Sequence, residues 1–388
     1  IPKGTRETPH KVSASCGIFS EWRKNMQYQN PILSGFHPDP SICRVGKDFY
    51  LVTSSFEYFP GIPIFHSRDL VHWEQIGHVL DRKNQLKLVS GAPNCLGIYA
   101  PTIRYHEGIF YCIVTNVGGR SGGNFFVYTT DPYGRWSNPV KLPFAGIDPS
   151  LFFDEDGRIY YTGTDTGIYI AEITFDVVRN DTPKRNELPV SIQNVKCGEK
   201  HYIWNGSGGN NPEGPHLYRI HDMYYLMIAE GGTEYCHMVT IARSKNVYGS
   251  YEACPHNPVL SNRSTCLNIK AIGHADLVED SQGSWWAVCL GIRPLGYPFR
   301  HNLGRETMLA PVKWENGWPV MGDNGTVTET FEVETAPGKK TRKSDFYIPG
   351  SNMTDTFCSN KLHPSWNTIY TPVSKFVKPT RQGLSLCA

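Results

Sequence analysis

Short apolar runs separated by turn-forming residues recur along most of this chain, and five of them share one pattern. Each begins at an anchor residue, continues as an apolar run, and turns at glycine or aspartate. About ten to twelve residues after the anchor, an aromatic pair opens a second apolar run. The anchors are Asp39, Ala100, Asp148, Glu213 and His274, and the pairs are Phe49-Tyr50, Phe110-Tyr111, Tyr160-Tyr161, Tyr224-Tyr225 and Trp285-Trp286. Short apolar runs bounded by turn residues predict β-strands.

The repeat length, roughly 50–65 residues, predicts an all-β chain folded as a five-bladed β-propeller with four strands in each blade. A long β-sandwich is the alternative, but it does not explain why the aromatic pair keeps its distance from the anchor. Neither the GH…WD pattern of WD repeats nor a kelch signature is present. In a propeller the first strand of every blade lines the central channel. The anchors are therefore expected to surround one end of the axis.

Four segments are expected along the chain. Residues 1–28 show little periodicity and indicate an N-terminal arm, whereas residues 29–325 are expected to form the propeller. Residues 326–350 are polar, carry the basic run from Lys339 to Lys343, and indicate a linker with a solvated surface. Residues 351–388 contain strand-like pieces but too few residues to bury a core alone. They are expected to be the start of a C-terminal β-sandwich that this chain does not complete.

Composition restricts the classes of partner. A formal net charge of +2 over 388 residues does not indicate nucleic acid or an anionic membrane as a partner. No apolar run approaches the ~20 residues that a membrane-spanning helix needs, so a membrane partner is not expected. The 21 tyrosines and 9 tryptophans are typical of a β-rich protein whose surface stacks on sugar rings or bases.

The cysteines and the glycosylation sequons bear on the compartment. The 11 cysteines show no CxxC or zinc-type spacing, and N-x-S/T sequons recur along the chain. The two features together favour an oxidising, secretory route over a cytosolic origin. We therefore expect a secreted, extracellular glycoprotein. The sequons begin at Asn180, Asn205, Asn262, Asn324 and Asn352.

Three of the anchors, Asp39, Asp148 and Glu213, are carboxylates that are expected to share one axial pocket. Like charges packed together oppose ionisation, so their pKa values must separate. One group can then act as an acid and another as a base at the same pH, as glycoside hydrolysis requires. An Asx turn that opens a strand is the alternative for each aspartate, but the recurrence favours a shared site. No H-E-x-x-H motif is present, and the glycine-rich stretches VGGRSGG and NGSGGNN indicate loops, because neither follows a strand-to-helix pattern.

The segment GFHPDPSICRVGKDFYLVTSSFEYFPGIPIFHSRDLVHW resembles the opening of glycoside hydrolase family 43 in its β-xylosidase branch. Four later segments resemble later motifs of that family in the same order. They are IDPSLFF, NPEGPHLY, GHADLV and HNLGRETMLAPVKWENGWPV. The resemblance runs from about Asn30 to Met321. It implies a five-bladed propeller and an inverting glycoside hydrolase.

The resemblance also implies a role for each of the three carboxylates. Asp39 matches the general base, Glu213 matches the general acid, and Asp148 matches the carboxylate that modulates the pKa of the acid and orients it. Inversion implies a separation of ~6.5–9.5 Å between Asp39 and Glu213, which leaves room for the attacking water. No cofactor is required for this chemistry.

Five further residues match family positions. Arg305 matches an arginine that contacts substrate hydroxyls and carboxylates, although a structural salt bridge to a propeller acid is an alternative. Phe56 and Thr233 match positions that line the terminal sugar subsite. Tyr99 stands where relatives often carry a tryptophan, so sugar stacking is expected there in a changed form. His274 matches an axial histidine that faces a water-coordinated ion in relatives, and a structural Ca²⁺ near the axis follows from that match; a buried structural histidine explains it equally well.

The expected activity is the release of terminal β-D-xylosyl residues from xylo-oligosaccharides or xylan. The alternative within the family is α-L-arabinofuranosidase action on arabinoxylan, alone or in a bifunctional enzyme, since the same three acids serve both. A non-catalytic sugar-binding propeller is the alternative from another class, and three intact acids argue against it. Many β-xylosidases of this branch carry a complete C-terminal β-sandwich whose loop closes the pocket. With only part of that domain, this chain is expected to have a more open pocket.

Overall fold

The structure, a computed structural model, describes residues 24–91, 93–118, 122–335, 355, 357, 362–372, 376–380 and 383–386. All regular secondary structure in these ranges is β-strand, as predicted. The same ranges contain no helix with the length and apolar character needed to cross a membrane. Most of the predicted arm, the basic run from Lys339 to Lys343 and the sequon at Asn352 lie outside the described residues.

The first two blades are antiparallel sheets. The strands up to the end of blade 2 are β1 (Lys24–Gln29), β2 (Ser41–Val45), β3 (Asp48–Val52), β4 (Tyr58–Phe59), β5 (Gly61–Ser67), β6 (Glu74–Leu80), β7 (Gly97–Ile98), β8 (Thr102–His106), β9 (Ile109–Val117), β10 (Gly123–Thr129) and β11 (Val140–Lys141). Blade 1 has the order β2-β3-β5-β6. Blade 2 has the order β8-β9-β10-β11, and β7 also pairs with β9.

The next three blades repeat this arrangement. Their strands are β12 (Ile147–Phe153), β13 (Ile159–Thr164), β14 (Ile168–Arg179), β15 (Val190–Cys197), β16 (His201–Trp204), β17 (Glu213–Ile220), β18 (Met223–Glu230), β19 (Met238–Ser244), β20 (Glu252–Ala253), β21 (Lys270–Glu279), β22 (Trp285–Ile292), β23 (Glu306–Glu315) and β24 (Trp318–Met321). Blade 3 has the order β12-β13-β14-β15, with β16 also on β14. Blades 4 and 5 have the orders β17-β18-β19-β20 and β21-β22-β23-β24.

The innermost strands of the five blades form a closed ring. β2 contacts β8, β8 contacts β12, β12 contacts β17, β17 contacts β21, and β21 returns to contact β2. Five sheets in such a ring are the five-bladed propeller that the repeats predict. The aromatic pairs lie at the beginning of the second strand of each blade, namely β3, β9, β13, β18 and β22.

The segment that precedes blade 1 joins the ring by pairing with blade 5. Ile32 N donates to Thr307 O at 2.9 Å, and Thr307 N donates to Leu33 O at 3.1 Å, so this segment adds to the edge of β23. Asn30 fixes the same edge, because its Nδ2 donates to Leu309 O at 2.9 Å and its Oδ1 accepts from Leu309 N at 2.8 Å. The beginning of the described chain thus covers a strand edge of the last blade.

The hydrophobic core lies between neighbouring blades. One cluster of buried side chains joins blades 1, 4 and 5, a second joins blades 1 and 2, a third joins blades 2 and 3, and a fourth joins blades 3 and 4. Burial of each large apolar side chain contributes roughly 1.5–3 kcal/mol. Because each cluster needs side chains from at least two blades, the blades stabilise one another, and the anchors are held in fixed positions around the axis.

Three two-stranded sheets lie outside the blades. β1 pairs with β25 (Thr330–Thr335), β26 (Thr368–Ile369) pairs with β4, and β27 (Val377–Thr380) pairs with β28 (Gly383–Leu386). β1 crosses the boundary predicted at residue 28, and β25 lies within the segment predicted as a linker. The first of these sheets therefore connects the end of the predicted arm to the predicted linker, and the domain boundaries stay predictions.

Candidate active site

The backbone at three anchors is left-handed. The φ angle is 53° at Asp39, 53° at Asp148 and 47° at His274. This conformation costs about 1–3 kcal/mol for a residue other than glycine. Aspartate adopts it more readily than most residues, because its short polar side chain bonds to nearby backbone. The two DPS segments thus adopt the same unfavourable backbone at equivalent blade positions, and opening a strand does not by itself require that.

Irregular strand pairing marks the anchors of blades 3, 4 and 5. Register shifts interrupt the pairing of the innermost strands β12, β17 and β21 with their neighbours. The interrupted stretches contain Asp148, Gly214 and His274, respectively. A β-bulge re-aims the side chains next to it, and bulges are frequent beside active sites. The anchors therefore present side chains in directions that a regular strand would not give them.

Asp39 is a buried carboxylate with a cation on one oxygen and a hydroxyl on the other. Arg305 Nη1 donates to its Oδ1 at 2.8 Å, and Ser54 Oγ donates to its Oδ2 at 2.5 Å. Burial by itself would raise the pKa of Asp39, but Arg305, His274 and Ser54 together hold that pKa below its usual value. Asp39 is therefore ionised at neutral pH, the form that a proton acceptor needs.

The pKa values of Glu213 and Asp148 are shifted in the opposite direction. Burial and the negative charge of Asp39 raise the pKa of Glu213 to about 7, against the opposing effect of Arg305. Burial and the charges of Glu213 and Asp39 raise the pKa of Asp148 well above its usual value, even though Gly214 N donates to its Oδ2 at 3.1 Å. Carboxyl groups that share a small space resist joint ionisation. One ionised group thus stands beside two that hold a proton more readily.

Gly214 connects Glu213 and Asp148 to the axial histidine. Its φ angle is 60°, and a Cβ atom at this position would lie 3.0 Å from Cε1 of His274. The same residue directly follows Glu213 and donates its N–H to Asp148. Glycine is the residue that combines this φ angle with so close an approach. The Glu-Gly-Pro sequence is therefore what brings Glu213, Asp148 and His274 to one place.

A cavity of about 330 Å³ is lined by residues from loops of several blades. Arg305 lines this cavity and also bonds to Asp39, so one side chain connects the cavity wall to this carboxylate. The guanidinium carbon of Arg305 lies 5.2 Å from the centre of the Phe56 ring, a cation–π distance. Phe36 packs on Phe56 with ring centroids 5.8 Å apart, and Tyr99 packs on it at 5.3 Å. The cavity wall is aromatic on this side.

The structure brings the predicted site residues together in two layers. Phe56, Thr233 and Arg305 line the cavity, and Tyr99 supports Phe56. Asp39 is bonded to this layer through Arg305, and His274 is buried against Gly214. The burial of His274 lowers its pKa, against the opposing charge of Asp39. The individual roles stay predictions.

Several residues of the site were not predicted from the sequence. Ser54 bonds to Asp39 and lies two positions before Phe56, and a pair of serines after an apolar strand was the available signal. Phe36, Tyr235 and His301 line the cavity as well. Tyr235 and His301 lie in loops that follow β18 and β22, where no periodic pattern indicates which side chain reaches the pocket.

A second buried network joins four of the innermost strands. Arg104 donates to the two oxygens of Asp276 at 2.7 and 3.1 Å. Ser41 Oγ and Tyr218 Oη each donate to the same carboxylate at 2.6 Å. These groups come from β8, β21, β2 and β17, so the network ties the ring together across its channel. None of these four residues was singled out in the sequence.

The axial residues do not fit a directly coordinated Ca²⁺. This ion takes about six to eight oxygen ligands, whereas both oxygens of Asp276 already accept from Arg104 and other donors, and His274 offers nitrogen. Among the described residues, no group of three or more His, Cys, Asp or Glu side chains could hold a metal ion. A water-coordinated ion beside His274 stays a prediction.

The fold is a five-bladed propeller, and one ionised carboxylate lies beside carboxyl groups of raised pKa. This combination is typical of the class of carboxylate-dependent glycosidases. The profile described as glycosyl hydrolases family 43 matches residues 28–319. The chain therefore belongs to glycoside hydrolase family 43.

Two curated relatives share much of this chain. The non-reducing end α-L-arabinofuranosidase BoGH43B of Bacteroides ovatus is 45% identical over 362 residues, which cover 91% of this chain and 65% of the relative. A xylosidase/arabinosidase of Butyrivibrio fibrisolvens is 48% identical over 315 residues, which cover 79% of this chain and 58% of the relative. The chain thus spans less than two thirds of the length of either relative.

Solved structures show the same fold. A structure described as Bacteroides ovatus xyloglucan PUL GH43B has a TM-score of 0.78 and 42% identity, and the match covers 93% of this chain and 68% of that chain. A xylan β-1,4-xylosidase from Bacillus halodurans has a TM-score of 0.76 and 37% identity, with 90% and 66% covered.

Proposed function

We propose that this chain is an inverting glycoside hydrolase that releases terminal β-D-xylosyl residues from xylo-oligosaccharides or xylan. The observation that carries the proposal is that the pKa values of two carboxyl groups are shifted in opposite directions. Asp39 has a lowered pKa, and Glu213 has a pKa raised to about 7. An ionised base and a protonated acid that coexist at one pH are what hydrolysis with inversion needs.

In this mechanism, Asp39 accepts a proton from a water molecule while the water oxygen forms a bond to the anomeric carbon. Glu213 donates its proton to the glycosidic oxygen as the bond between that oxygen and the anomeric carbon breaks. One water is consumed, and the proton gained by Asp39 balances the proton lost by Glu213. We assign to Asp148 the role of orienting Glu213 and modulating its pKa, since the charge of Glu213 raises the pKa of Asp148 and Gly214 N, directly after Glu213, donates to Asp148.

The cavity supplies the binding site for the terminal sugar. The guanidinium of Arg305 carries five N–H donors in a planar fork, and it reaches Asp39 through Nη1 alone in the bonds described above. We assign its remaining donors to substrate hydroxyls. Phe56, packed against Tyr99 and Arg305, contributes apolar surface to the cavity wall beside the sugar ring, and Thr233 adds a hydroxyl there.

The decisive test is the configuration of the first product. Proton NMR during hydrolysis of a β-xyloside should detect α-xylose before mutarotation, as inversion demands. β-Xylose as the first product would exclude the inverting mechanism. If the chain binds xylo-oligosaccharides but releases no reducing sugar, it is a sugar-binding propeller instead.

A second candidate activity is that of an α-L-arabinofuranosidase on arabinoxylan, alone or together with xylosidase activity. The observation that favours it is the pair of names carried by the relatives, an α-L-arabinofuranosidase at 45% identity and a xylosidase/arabinosidase at 48%. Values of kcat/KM for 4-nitrophenyl β-D-xyloside and 4-nitrophenyl α-L-arabinofuranoside separate the two. A far higher value for the arabinofuranoside would reverse the order proposed above.

We also propose that the chain is a secreted glycoprotein. Sequons at Asn180, Asn205 and Asn324 have exposed asparagine side chains, which supports modification there. Asn262 is a poor acceptor, because it is fully buried and its Nδ2 donates to Val327 O at 2.7 Å. The described cysteines are free thiols and add no support. Endoglycosidase treatment of the protein from its natural source should increase its gel mobility, and an unchanged mobility would refute the assignment.

A further inference from the structure

Glu230 is a carboxyl group with no solvent exposure, at the end of β18. Three donors reach its two oxygens. Ser207 N and Thr240 Oγ1 donate to Oε1 at 2.5 and 2.9 Å, and Gly209 N donates to Oε2 at 2.8 Å. Within the part of the chain that the structure describes, no ion pair compensates this group. A buried carboxyl group without a cation relies on hydrogen bonds to offset the cost of its burial, so these three donors are what hold Glu230 in place.

Two of the three donors belong to the loop of residues 205–212, which connects β16 to Glu213. This loop is the glycine-rich stretch NGSGGNN followed by Pro212. A Cβ atom at Gly206 would lie 2.9 Å from Oε1 of Glu230, and one at Gly209 would lie 2.6 Å from Oε2. The glycines therefore allow the loop to close around the carboxyl group. Glu230 occupies the centre of the loop, where water would otherwise have to satisfy the backbone N–H groups.

The loop and Glu230 meet at the proposed general acid. The loop ends at Pro212, directly before Glu213, and Pro212 O accepts from Thr164 Oγ1 at 2.8 Å. On the other side, Glu213 pairs with Ala229, the residue before Glu230. Gly231, the residue after Glu230, donates its N–H to Asn210 O at 2.7 Å. Glu230 thus fixes both the segment that enters Glu213 and the strand that faces it.

We propose that Glu230 is a positioning residue for Glu213, holding the loop of residues 205–212 so that the general acid is aimed at the leaving-group oxygen and shielded from water. The inference rests on the proposed glycosidase function. Glu230 touches no substrate in this scheme. Its effect reaches the reaction through the backbone on either side of Glu213.

The pattern of donors makes one substitution informative. In Glu230→Gln the side chain keeps its shape, but one oxygen becomes an NH₂ group that can only donate. If the amide oxygen takes the place of Oε1, the NH₂ group faces the N–H of Gly209. The hydrogen bond from Gly209 to the side chain is then lost, because two N–H donors face each other. The loop should loosen, and water should gain access to Glu213.

The test compares E230Q with wild type over aryl xylosides whose leaving groups differ in acidity. Poor leaving groups depend on protonation by the general acid, and activated ones do not. We expect kcat to fall about tenfold or more for a poor leaving group and less than about threefold for 2,4-dinitrophenyl xyloside. The basic limb of the pH profile should also move to lower pH, because solvent access to Glu213 favours its ionised form.

Asp154→Asn is the matched control. The Asp154 side chain has no solvent exposure and also accepts from three donors, namely Arg219 Nη1 at 3.0 Å, Tyr224 Oη at 2.6 Å and Glu155 N at 2.8 Å. It lies after β12, at the end remote from Asp148. D154N should lower the melting temperature without changing the leaving-group dependence or the basic limb. If E230Q likewise lowered only the melting temperature, Glu230 would have a structural role and not a positioning role.

A second variant and a direct pKa measurement complete the test. Thr240→Val removes one donor to Oε1 with little change of shape, so it replaces E230Q if that variant does not fold, and it should show the same trend. Carbon-13 NMR titration of labelled Glu213 gives its pKa without turnover. A lower pKa in E230Q, with no hydrolysis by either protein, would reject the proposed function and retain the positioning. An unchanged pKa, together with an unchanged leaving-group dependence in an active enzyme, would reject the positioning alone.

Discussion

The guanidinium of Arg305 donates from Nη1 to Oδ1 of Asp39 at 2.8 Å, across a separation of 266 residues in the chain. This bond sets a fixed cation against the carboxylate that must stay ionised to act as a base. The same guanidinium lies over the ring of Phe56 at the cavity wall. A single side chain therefore connects the sugar cavity to the base, and any substrate contact with Arg305 bears directly on Asp39.

Replacing Arg305 with methionine should move the whole bell-shaped pH profile of kcat/KM to higher pH. Arg305 opposes the rise in pKa that burial would give Asp39, and it also lowers the pKa of Glu213. Without it, Asp39 loses its proton only at higher pH, and Glu213 keeps its proton to higher pH. We expect the acidic limb to shift by about 1–3 pH units.

Arg68→Met is the control for the arginine substitution. Arg68 is largely exposed and donates to Asp48 at 2.9 Å, in blade 1. Loss of an exposed ion pair changes little, so its pH profile should match that of wild type. An acidic limb that stays in place in R305M would mean that Arg305 does not keep Asp39 ionised.

Asp39→Asn should abolish turnover to the same degree for all leaving groups. Activation of the attacking water is needed whatever group departs, so acidity of the leaving group gives no compensation. We expect kcat to fall about 10²–10⁴-fold on both 2,4-dinitrophenyl xyloside and xylobiose. Asp48→Asn, which alters a half-buried aspartate of the same blade, should leave kcat unchanged. A loss confined to one class of leaving group would contradict the assignment of Asp39 as the base.

Much of the fold follows from the sequence because one physical pattern recurs. Each blade needs an apolar strand, a turn and an aromatic pair to fill the space between neighbouring sheets. These requirements produce a repeat that is recognisable in the sequence. The same pattern indicates that Asp39, Asp148, Glu213 and His274 share a pocket. The pairing of β1 with β25 has no such signal, because it joins distant segments that lack the period.

The parts of the site that were not predicted depend on bends of the chain rather than on a repeat. The left-handed φ angle at Asp39 and Asp148 and the close approach of Gly214 to His274 are set by the packed ring. Likewise, Glu230 follows an apolar strand and looks like a solvated turn residue in the sequence. Only the folded loop of residues 205–212 shows that its carboxyl group is buried.

Glu213→Ala should slow poor leaving groups far more than activated ones. A general acid contributes about 10²–10⁴-fold when the leaving oxygen needs a proton. 2,4-Dinitrophenolate departs without one, so its rate should fall least. The basic limb of the pH profile near pH 7 should disappear in this variant, since it reports the ionisation of Glu213. Equal losses for xylobiose and for the dinitrophenyl substrate would mean that another group donates the proton.

Glu213→Gln should change how stability depends on pH, in a direction that follows from the raised pKa. Native Glu213 has a pKa of about 7, against 4.5 for an unperturbed glutamate, so the native state binds more protons than the unfolded chain between these values. The free energy of unfolding therefore falls as pH rises through this window. Because glutamine cannot ionise, the variant does not lose this stability as pH rises.

The expected result is a gain in stability of E213Q over wild type as pH rises from about 5 to about 8. Each unit of pKa shift corresponds to about 1.4 kcal/mol, so the relative gain reaches up to about 3 kcal/mol. Melting temperatures across this range provide the measurement. Glu155→Gln serves as the control, because Glu155 is largely exposed, and its melting curve should follow wild type at every pH. Parallel curves for E213Q and wild type would show that Glu213 ionises as readily in the folded protein as in the unfolded chain, and the assignment of a protonated general acid would then fail.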